Sequence, residues 1–349
     1  MPVDFGQLLD GLKLDALYVS KAENVRYLSG FVAGKDGKIV LSKAGAIFIT
    51  DGRYIAEASQ QSFPKRILLN RGEMNKLLAE YFRGRVGFEA DELSVATLES
   101  FKKDMPEVEF VATHNVFDDI RRVKNPDEIE VIRKSATLSD AGFEHILPFI
   151  KPGVREVDLA LELEFYLRKH GSEGVAFGIT VASGLRSAMP HGGASHKVIE
   201  AGELVTLDFG CVTNGYCSDM TRTVGVGKVS AELRGLYQAV LEAEMAALEA
   251  VAPGVAAKDL DSIARNSLRE RGYGEYFTHS LGHGVGLFIH EGPSLSQTSE
   301  DVLATSNVIT IEPGVYIPEF GGCRIEDLVL VTESGYEVLS QSPKELLEL

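Results

Sequence analysis

Four acids stand inside apolar runs, where a carboxylate has no ordinary reason to be. Asp208 lies in Val205-Thr206-Leu207-Asp208-Phe209-Gly210 and Asp219 in Ser218-Asp219-Met220-Thr221-Arg222-Thr223. Glu312 lies in Ile309-Thr310-Ile311-Glu312-Pro313-Gly314 and Glu326 in Arg324-Ile325-Glu326-Asp327-Leu328-Val329. A carboxylate carried into such a strand needs a proton, a donor or a cation beside it. Between the two pairs runs Thr278-His279-Ser280-Leu281-Gly282-His283-Gly284-Val285-Gly286-Leu287-Phe288-Ile289-His290-Glu291, which holds three of the chain's eight histidines within twelve residues. Glycines around His283 allow close backbone approach and argue against a plain helix, so the H-E-x-x-H arrangement of zinc proteases does not apply. His191 follows Pro190 in Met189-Pro190-His191-Gly192-Gly193. Four carboxylates and one imidazole form a hard, oxygen-rich donor set whose negative charge two divalent cations neutralise, and it favours manganese, cobalt or iron over a structural zinc. Such a pair of ions activates water and polarises a carbonyl, and the expected reaction is attack on an amide. Singly, each acid is equally well a solvated hairpin face or a strand edge, and each histidine a structural or loop residue. The coincidence of two acid pairs carries the weight.

The elements that must position these groups read as two β-hairpins. Asn214-Gly215 is the favoured two-residue turn. Centred there without a bulge, the hairpin pairs Asp208 with Thr221 and leaves Asp219 two residues along the same face. For the second pair, the turn near Phe320-Gly321-Gly322 admits more than one register, so its geometry stays open. Each hairpin closes one copy of a weak internal repeat: Pro152-Gly153-Val154 leads to Asp158-Leu159 and Gly171, and Pro253-Gly254-Val255 leads to Asp259-Leu260 and Gly272, at a constant offset of 101 residues. Duplication predicts two halves facing each other across a pseudo-twofold axis, with a cleft between their sheets. The alternative is two Pro-Gly turns that coincide by chance.

Upstream, Ala16–Val19, Lys38–Leu41, Ala46–Thr50 and Arg85–Glu89 read as strands among helical patterns, a small α/β domain over residues 1–120. A charged stretch from Asp118 to Lys124 marks the boundary, and Asn125-Pro126 reads as a helix cap and first turn opening the second domain, 121–349. The balance of 51 acidic against 35 basic residues, a formal net charge of -16, disfavours nucleic acid and anionic membrane as partners. Met1-Pro2-Val3-Asp4 lacks the cationic, apolar start of a secretory leader, and no run of about 20 apolar residues follows. The odd cysteines Cys211, Cys217 and Cys323 form no C-x-x-C pair, so reduced thiols in a cytoplasmic protein are expected.

Taken together and in order, Leu207-Asp208-Phe209-Gly210, Ser218-Asp219-Met220-Thr221-Arg222-Thr223, His279-Ser280-Leu281-Gly282-His283-Gly284-Val285-Gly286, Ile311-Glu312-Pro313-Gly314 and Arg324-Ile325-Glu326-Asp327 resemble the pita-bread metallopeptidases, the group of aminopeptidase P, prolidase, methionine aminopeptidase and the metal-free creatinases. The resemblance covers the chain from about residue 125. It implies an α+β pita-bread catalytic domain with a pseudo-twofold repeat, preceded by a smaller α/β domain as in aminopeptidase P and prolidase. It further implies two divalent metal ions, manganese first, held by Asp208, Asp219, His283, Glu312 and Glu326. Glu312 would be the general base, with His191 and His290 steadying the substrate carbonyl and tetrahedral intermediate. His279, Tyr316 and Arg324 match positions that shape the proline pocket or orient the inner residues, while Phe177 lines the cleft or belongs to the core. The implied substrates are peptides with proline second, and a homodimer is implied. Aminopeptidase P is the first reading, from Thr50-Asp51-Gly52-Arg53-Tyr54; prolidase is the alternative and would need a cation for the free carboxylate, for which Arg26 and Arg53 are candidates or plain surface residues. A metal-free creatinase-like hydrolase and a non-catalytic binding module would both be expected to have lost ligand positions, and none is lost here.

Overall fold

A computed structural model describes residues 4–61, 63–64 and 66–349. Met1, Pro2 and Val3, on which the expectation about a leader rested, lie outside the described residues. The chain divides into two compact units, Met1–Ile120 and Arg121–Leu349. Among the described residues no helix is long and apolar enough to cross a membrane.

In the first unit β1 (Ala16–Val19), β2 (Lys38–Ser42), β3 (Gly45–Thr50), β4 (Arg66–Leu69), β5 (Arg85–Glu89) and β6 (Glu109–Thr113) form one sheet of order β4-β3-β2-β1-β5-β6. Period-two alternation sends Leu17, Val19, Ile39, Leu41 and Phe48 into one apolar cluster and Ala16, Tyr18, Val40, Ile47 and Ile49 into another. Both faces are therefore buried, as in sheets covered by helices on each side. The edge strands β4 and β6 have mostly half-exposed or exposed side chains, and their weak alternation hid them from the sequence pattern.

The second unit opens on helix Pro126–Ile146. Asn125 accepts the amides of Asp127 and Glu128 while Glu128 reaches back to the Asn125 amide, a complete capping box with proline in the first turn. The first half contains β7 (Gly174–Val175), β8 (Thr180–Ser183), β9 (Leu204–Phe209), β10 (Cys211–Thr213), β11 (Tyr216–Cys217) and β12 (Met220–Gly225). The second contains β13 (Gly282–Gly284), β14 (Glu291–Leu295), β15 (Val308–Ile311), β16 (Gly314–Ile317), β17 (Gly321–Arg324), β18 (Asp327–Val331) and β19 (Tyr336–Val338). Their main sheets run β12-β9-β8 and β14-β13-β15-β18-β19. Helices Pro126–Ile146 and Glu156–Lys169 pack on the first through Phe143, Leu163, Leu207 and Phe209, and helices Ala231–Glu249 and Ala257–Glu270 on the second through Leu236, Leu260, Ile309 and Val329. The two repeat helices stop just before Gly171 and Gly272, whose φ of 110° and 83° are the left-handed caps expected from the sequence.

Two hairpins in matched register form the seam between the halves. In the first, Asp208 pairs with Thr221 and Val212 with Cys217, one register throughout, and Asn214 and Gly215 take positive φ at the turn. Asp219 stands in a break between the two ladders rather than within a strand. In the second, Ile311 pairs with Asp327 and Gly314 with Arg324, which puts Glu312 and Glu326 opposite each other in the gap between ladders. Its turn centres on Glu319, with φ of 62°, and Gly321 and Gly322 belong to β17. That choice settles the register the sequence left open. The hairpins then touch: the Glu326 amide donates to Thr221 O at 3.1 Å, and Thr223 Oγ1 to Arg324 O at 2.8 Å.

Candidate metal centre and active site

A cavity of about 480 Å³ opens over this seam. Phe177, His191, Asp208, Asp219, His279, His283, His290, Glu312, Arg324 and Glu326 all line it. Tyr316 stands behind the wall, buried, with its hydroxyl 2.9 Å from His279 Nε2. Every site residue expected from the sequence is thus brought to one place. Phe177 has both expected roles, since it borders the cavity and packs against a core cluster with Ala176 and Tyr216 beside it.

The centre is built from backbone geometry first. Cβ atoms added at Gly282 and Gly284 would fall 2.1 Å from Thr310 O and 2.1 Å from Gly292 O, so β13 lies closer to its neighbours than any side chain permits. His283 is carried between them. Its Nδ1 faces Gly284 O at 3.1 Å, which leaves Nε2 directed at Glu312 Oε1 (3.3 Å) and Asp219 Oδ2 (3.6 Å). Asp219, His283 and Glu326 offer ligand atoms that all lie within 4.8 Å of one another.

Charge accounting at this spot does not close with protein groups alone. Burial, then the charges of Glu326, Asp208 and Glu312, drive the Asp219 carboxyl well above its usual range, and burial with Glu312 and Asp208 does the same to Glu326. Burial raises Asp208 as well, against the opposing charge of Arg324. Burial also opposes ionisation of Glu312, yet the hydrogen bond and charge of His283 hold it near 2. Asp219 Oδ1 is buried without a hydrogen-bond partner. A buried carboxylate oxygen without a donor, amid three other carboxylates and one imidazole, fits divalent cations.

Arg324 organises the opposite wall. Its Nη2 meets Asp208 Oδ2 at 2.5 Å, Nε donates to Thr221 Oγ1 at 3.0 Å, and Nη1 donates to Tyr316 Oη at 2.6 Å and Pro190 O at 3.2 Å. With Nδ1 of His279 donating to Ser280 O, the chain from Arg324 through the Tyr316 hydroxyl to His279 Nε2 runs in one donor direction. Burial lowers His279 and keeps it neutral, while burial followed by the charge of His283 lowers His290. His290 and His191 are the exposed histidines of the rim, and the His290 ring packs edge-on to His283 with centroids 4.4 Å apart.

Sequence reading missed two hydroxyls. Thr221 Oγ1 donates to Glu326 Oε2 at 2.7 Å, and Thr310 Oγ1 lies 3.2 Å from Glu312 Oε1. The signal was present: Thr221 is the rung partner of Asp208, and Thr310 sits two residues before Glu312 on the same face.

A paired-carboxylate centre between two related hairpins, in a chain that begins with a separate α/β domain, defines the metallopeptidase class with a creatinase-type N-terminal domain. Residues 130–333 match the model of metallopeptidase family M24, and residues 4–123 match that of the Creatinase/Prolidase N-terminal domain. The chain belongs to metallopeptidase family M24, and its catalytic domain is the pita-bread fold. An Xaa-Pro dipeptidase of Pyrococcus furiosus is 41% identical over 342 residues, covering 98% of this chain and 97% of its own. Among solved structures, an Xaa-Pro dipeptidase from Bacillus anthracis superposes with a TM-score of 0.95 at 42% identity over 99% of both chains. An X-Pro aminopeptidase from Thermotoga maritima superposes with a TM-score of 0.91 at 35% identity, covering 98% of this chain and 100% of its own.

Proposed function

We propose that this chain is an Xaa-Pro dipeptidase that uses two divalent cations, manganese by preference, held by Asp208, Asp219, His283, Glu312 and Glu326. The observation that carries the substrate is likeness along the whole chain to Xaa-Pro dipeptidases at 41–42% identity. This reverses the order read from the sequence, which put aminopeptidase P first on one short segment of the N-terminal domain. Arg53 of that segment is engaged locally, with Asp51 and Asp36 at 2.7 and 2.9 Å.

The cations, when bound, supply Lewis acidity to water and to the scissile carbonyl. Glu312 takes the proton from the attacking water and returns it to the leaving proline nitrogen. His191 and His290 donate to the carbonyl oxygen as it gains charge. Arg324 fixes Asp208 and, through Tyr316, the neutral His279. Phe177 offers an apolar wall to the pyrrolidine ring. The implied homodimer belongs to the same reading.

One observation favours aminopeptidase P as the second reading. Among the described residues lining the cavity, Arg324 is the sole guanidinium, no lysine is present, and four of the five Arg324 N–H groups are directed at Asp208, Thr221, Tyr316 and Pro190. A free carboxylate after proline finds no other strong cation there. Manganese-loaded enzyme given an Xaa-Pro dipeptide and the matching Xaa-Pro-Yaa tripeptide decides between them. Cleavage of the dipeptide alone is expected; equal or better tripeptide cleavage overturns the dipeptidase reading in favour of aminopeptidase P.

A further inference from the structure

The charged stretch Arg121-Arg122-Val123-Lys124 read from the sequence as a domain boundary, yet two of its cations are sealed from solvent. The side chains of Arg121 and Lys124 are 2% and 1% exposed, and both grip Glu291, itself 2% exposed: Arg121 Nη2 to Oε2 at 2.9 Å and Lys124 Nζ to Oε1 at 2.8 Å. Glu291 directly follows His290. Gly286 leaves room for this carboxylate: an added Cβ there would lie 2.3 Å from Glu291 Oε1.

The same stretch holds the loop on its far side. Arg122 Nη1 meets Asp301 Oδ1 at 2.7 Å, and Asp301 Oδ2 accepts the amide of Ser294, another lining residue, at 2.8 Å. The stretch is in turn fixed to the core, because the Lys124 amide donates to Ser306 O at 2.9 Å and Asn307 Nδ2 donates to Arg122 O at 3.0 Å. His290 therefore projects from a segment clamped at the next residue and again at Ser294, while its own ring is exposed. Beyond its edge contact with His283, the ring takes its direction from the backbone that carries it. Two buried cations on one buried carboxylate give a joint that neither water nor salt loosens as it would a surface pair.

We infer that Glu291, held by Arg121 and Lys124, is a positioning residue that fixes the direction in which His290 presents its imidazole to the substrate carbonyl. The inference rests on the role given to His290 above. A donor displaced by about 1 Å loses on the order of 10²-fold in rate.

The test is a double-mutant cycle on manganese-loaded enzyme, using His290→Ala and Glu291→Gln alone and together, with kcat and KM measured separately and metal content and melting temperature as controls. Removing one oxyanion donor costs about 10²–10³-fold, so His290→Ala should lower kcat by that order. Glu291→Gln should lower kcat by about tenfold or more with KM and metal content unchanged, and should add less than about twofold on the His290→Ala background, since coupled residues are not additive. Equal losses from Glu291→Gln in both backgrounds overturn the inference and leave the role of His290 standing. Full turnover in His290→Ala removes that role, and the inference falls with it. Where Glu291→Gln does not fold, Glu291→Asp, which keeps the charge between the two cations, takes its place in the same cycle and is judged by the same coupling.

Discussion

Two buried carboxylate sites in the catalytic unit make opposite use of the same chemistry. Glu156, fully buried, accepts from the Ser183 amide and hydroxyl at 2.8 and 2.9 Å, from Arg186 Nη1 at 2.5 Å, and from the Ser195 amide and hydroxyl at 3.2 and 2.6 Å. Five donors, one of them a cation, account for both of its oxygens. Asp219, also buried, has an oxygen with no donor and is surrounded by Asp208, Glu312 and Glu326. The first is a carboxylate finished by the protein, and the second is one left for something else to finish. Burial alone therefore does not mark a site; an undonated carboxylate oxygen among other carboxylates facing a cavity does.

The sharpest way to break that contrast is at Asp219. In Asp219→Asn, turnover should fall to background and the metal-dependent rise in melting temperature should vanish, while the metal-free protein melts higher than metal-free wild type because one repelling charge is gone. Calorimetry with and without manganese, beside metal counting, reads all three. A metal-free variant that melts lower would mean that protein donors had been balancing Asp219 after all. At the finished site the expectation inverts. Glu156→Gln should destabilise the protein by about 1–3 kcal/mol in urea unfolding, by leaving charged and hydroxyl donors unmatched, with metal content unaltered. A neutral result there would show the five donors to be replaceable by water.

An intermediate case should give the smallest effect. Glu244 is buried, with Oε1 3.3 Å from Lys344 Nζ and Oε2 without a partner, while Asp327 holds the same ammonium at 2.6 Å. Asp327 has the stronger claim on the lysine, and burial, then Asp327, raise the Glu244 carboxyl well above 4.5. A raised folded value means the native state binds this proton more tightly than the unfolded chain. The stability it contributes is complete below about 4.5 and is lost as pH rises through the folded value. Glu244→Gln should therefore lack that decline, so the difference in melting temperature between variant and wild type should move in favour of the variant as pH is raised from 4.5 to 8. A difference that stays constant with pH would place Glu244 among the ionised groups.

Much of this was legible in the residues. Asn214-Gly215 dictates a type of turn, and the turn dictates that Asp208 faces Thr221, which the structure reproduces. The second hairpin was ambiguous because glycines at 321 and 322 look like turn residues; they serve instead as strand positions, and an added Cβ at Gly322 would lie 2.3 Å from Ser187 O. No local pattern reveals a neighbour 135 residues away. The charged stretch does mark the division between the two units, at Ile120 and Arg121, but its burial was not legible. Arg121 and Lys124 have the composition of a solvated linker, and only their distant partner Glu291 makes them interior residues. The edge strand Arg66–Leu69 was lost because an edge needs no strict alternation.

The crowding around residues 282 and 284 also limits how this enzyme can change. A methyl group on either would meet a carbonyl oxygen at 2.1 Å, so the strand that carries His283 is closed to variation in its flanking residues. New substrate preferences are then expected elsewhere on the rim, at positions such as Phe177 and Ser294. Directed evolution that randomises those rim positions while leaving the glycine strand and the two rim histidines fixed would search outside the crowded centre.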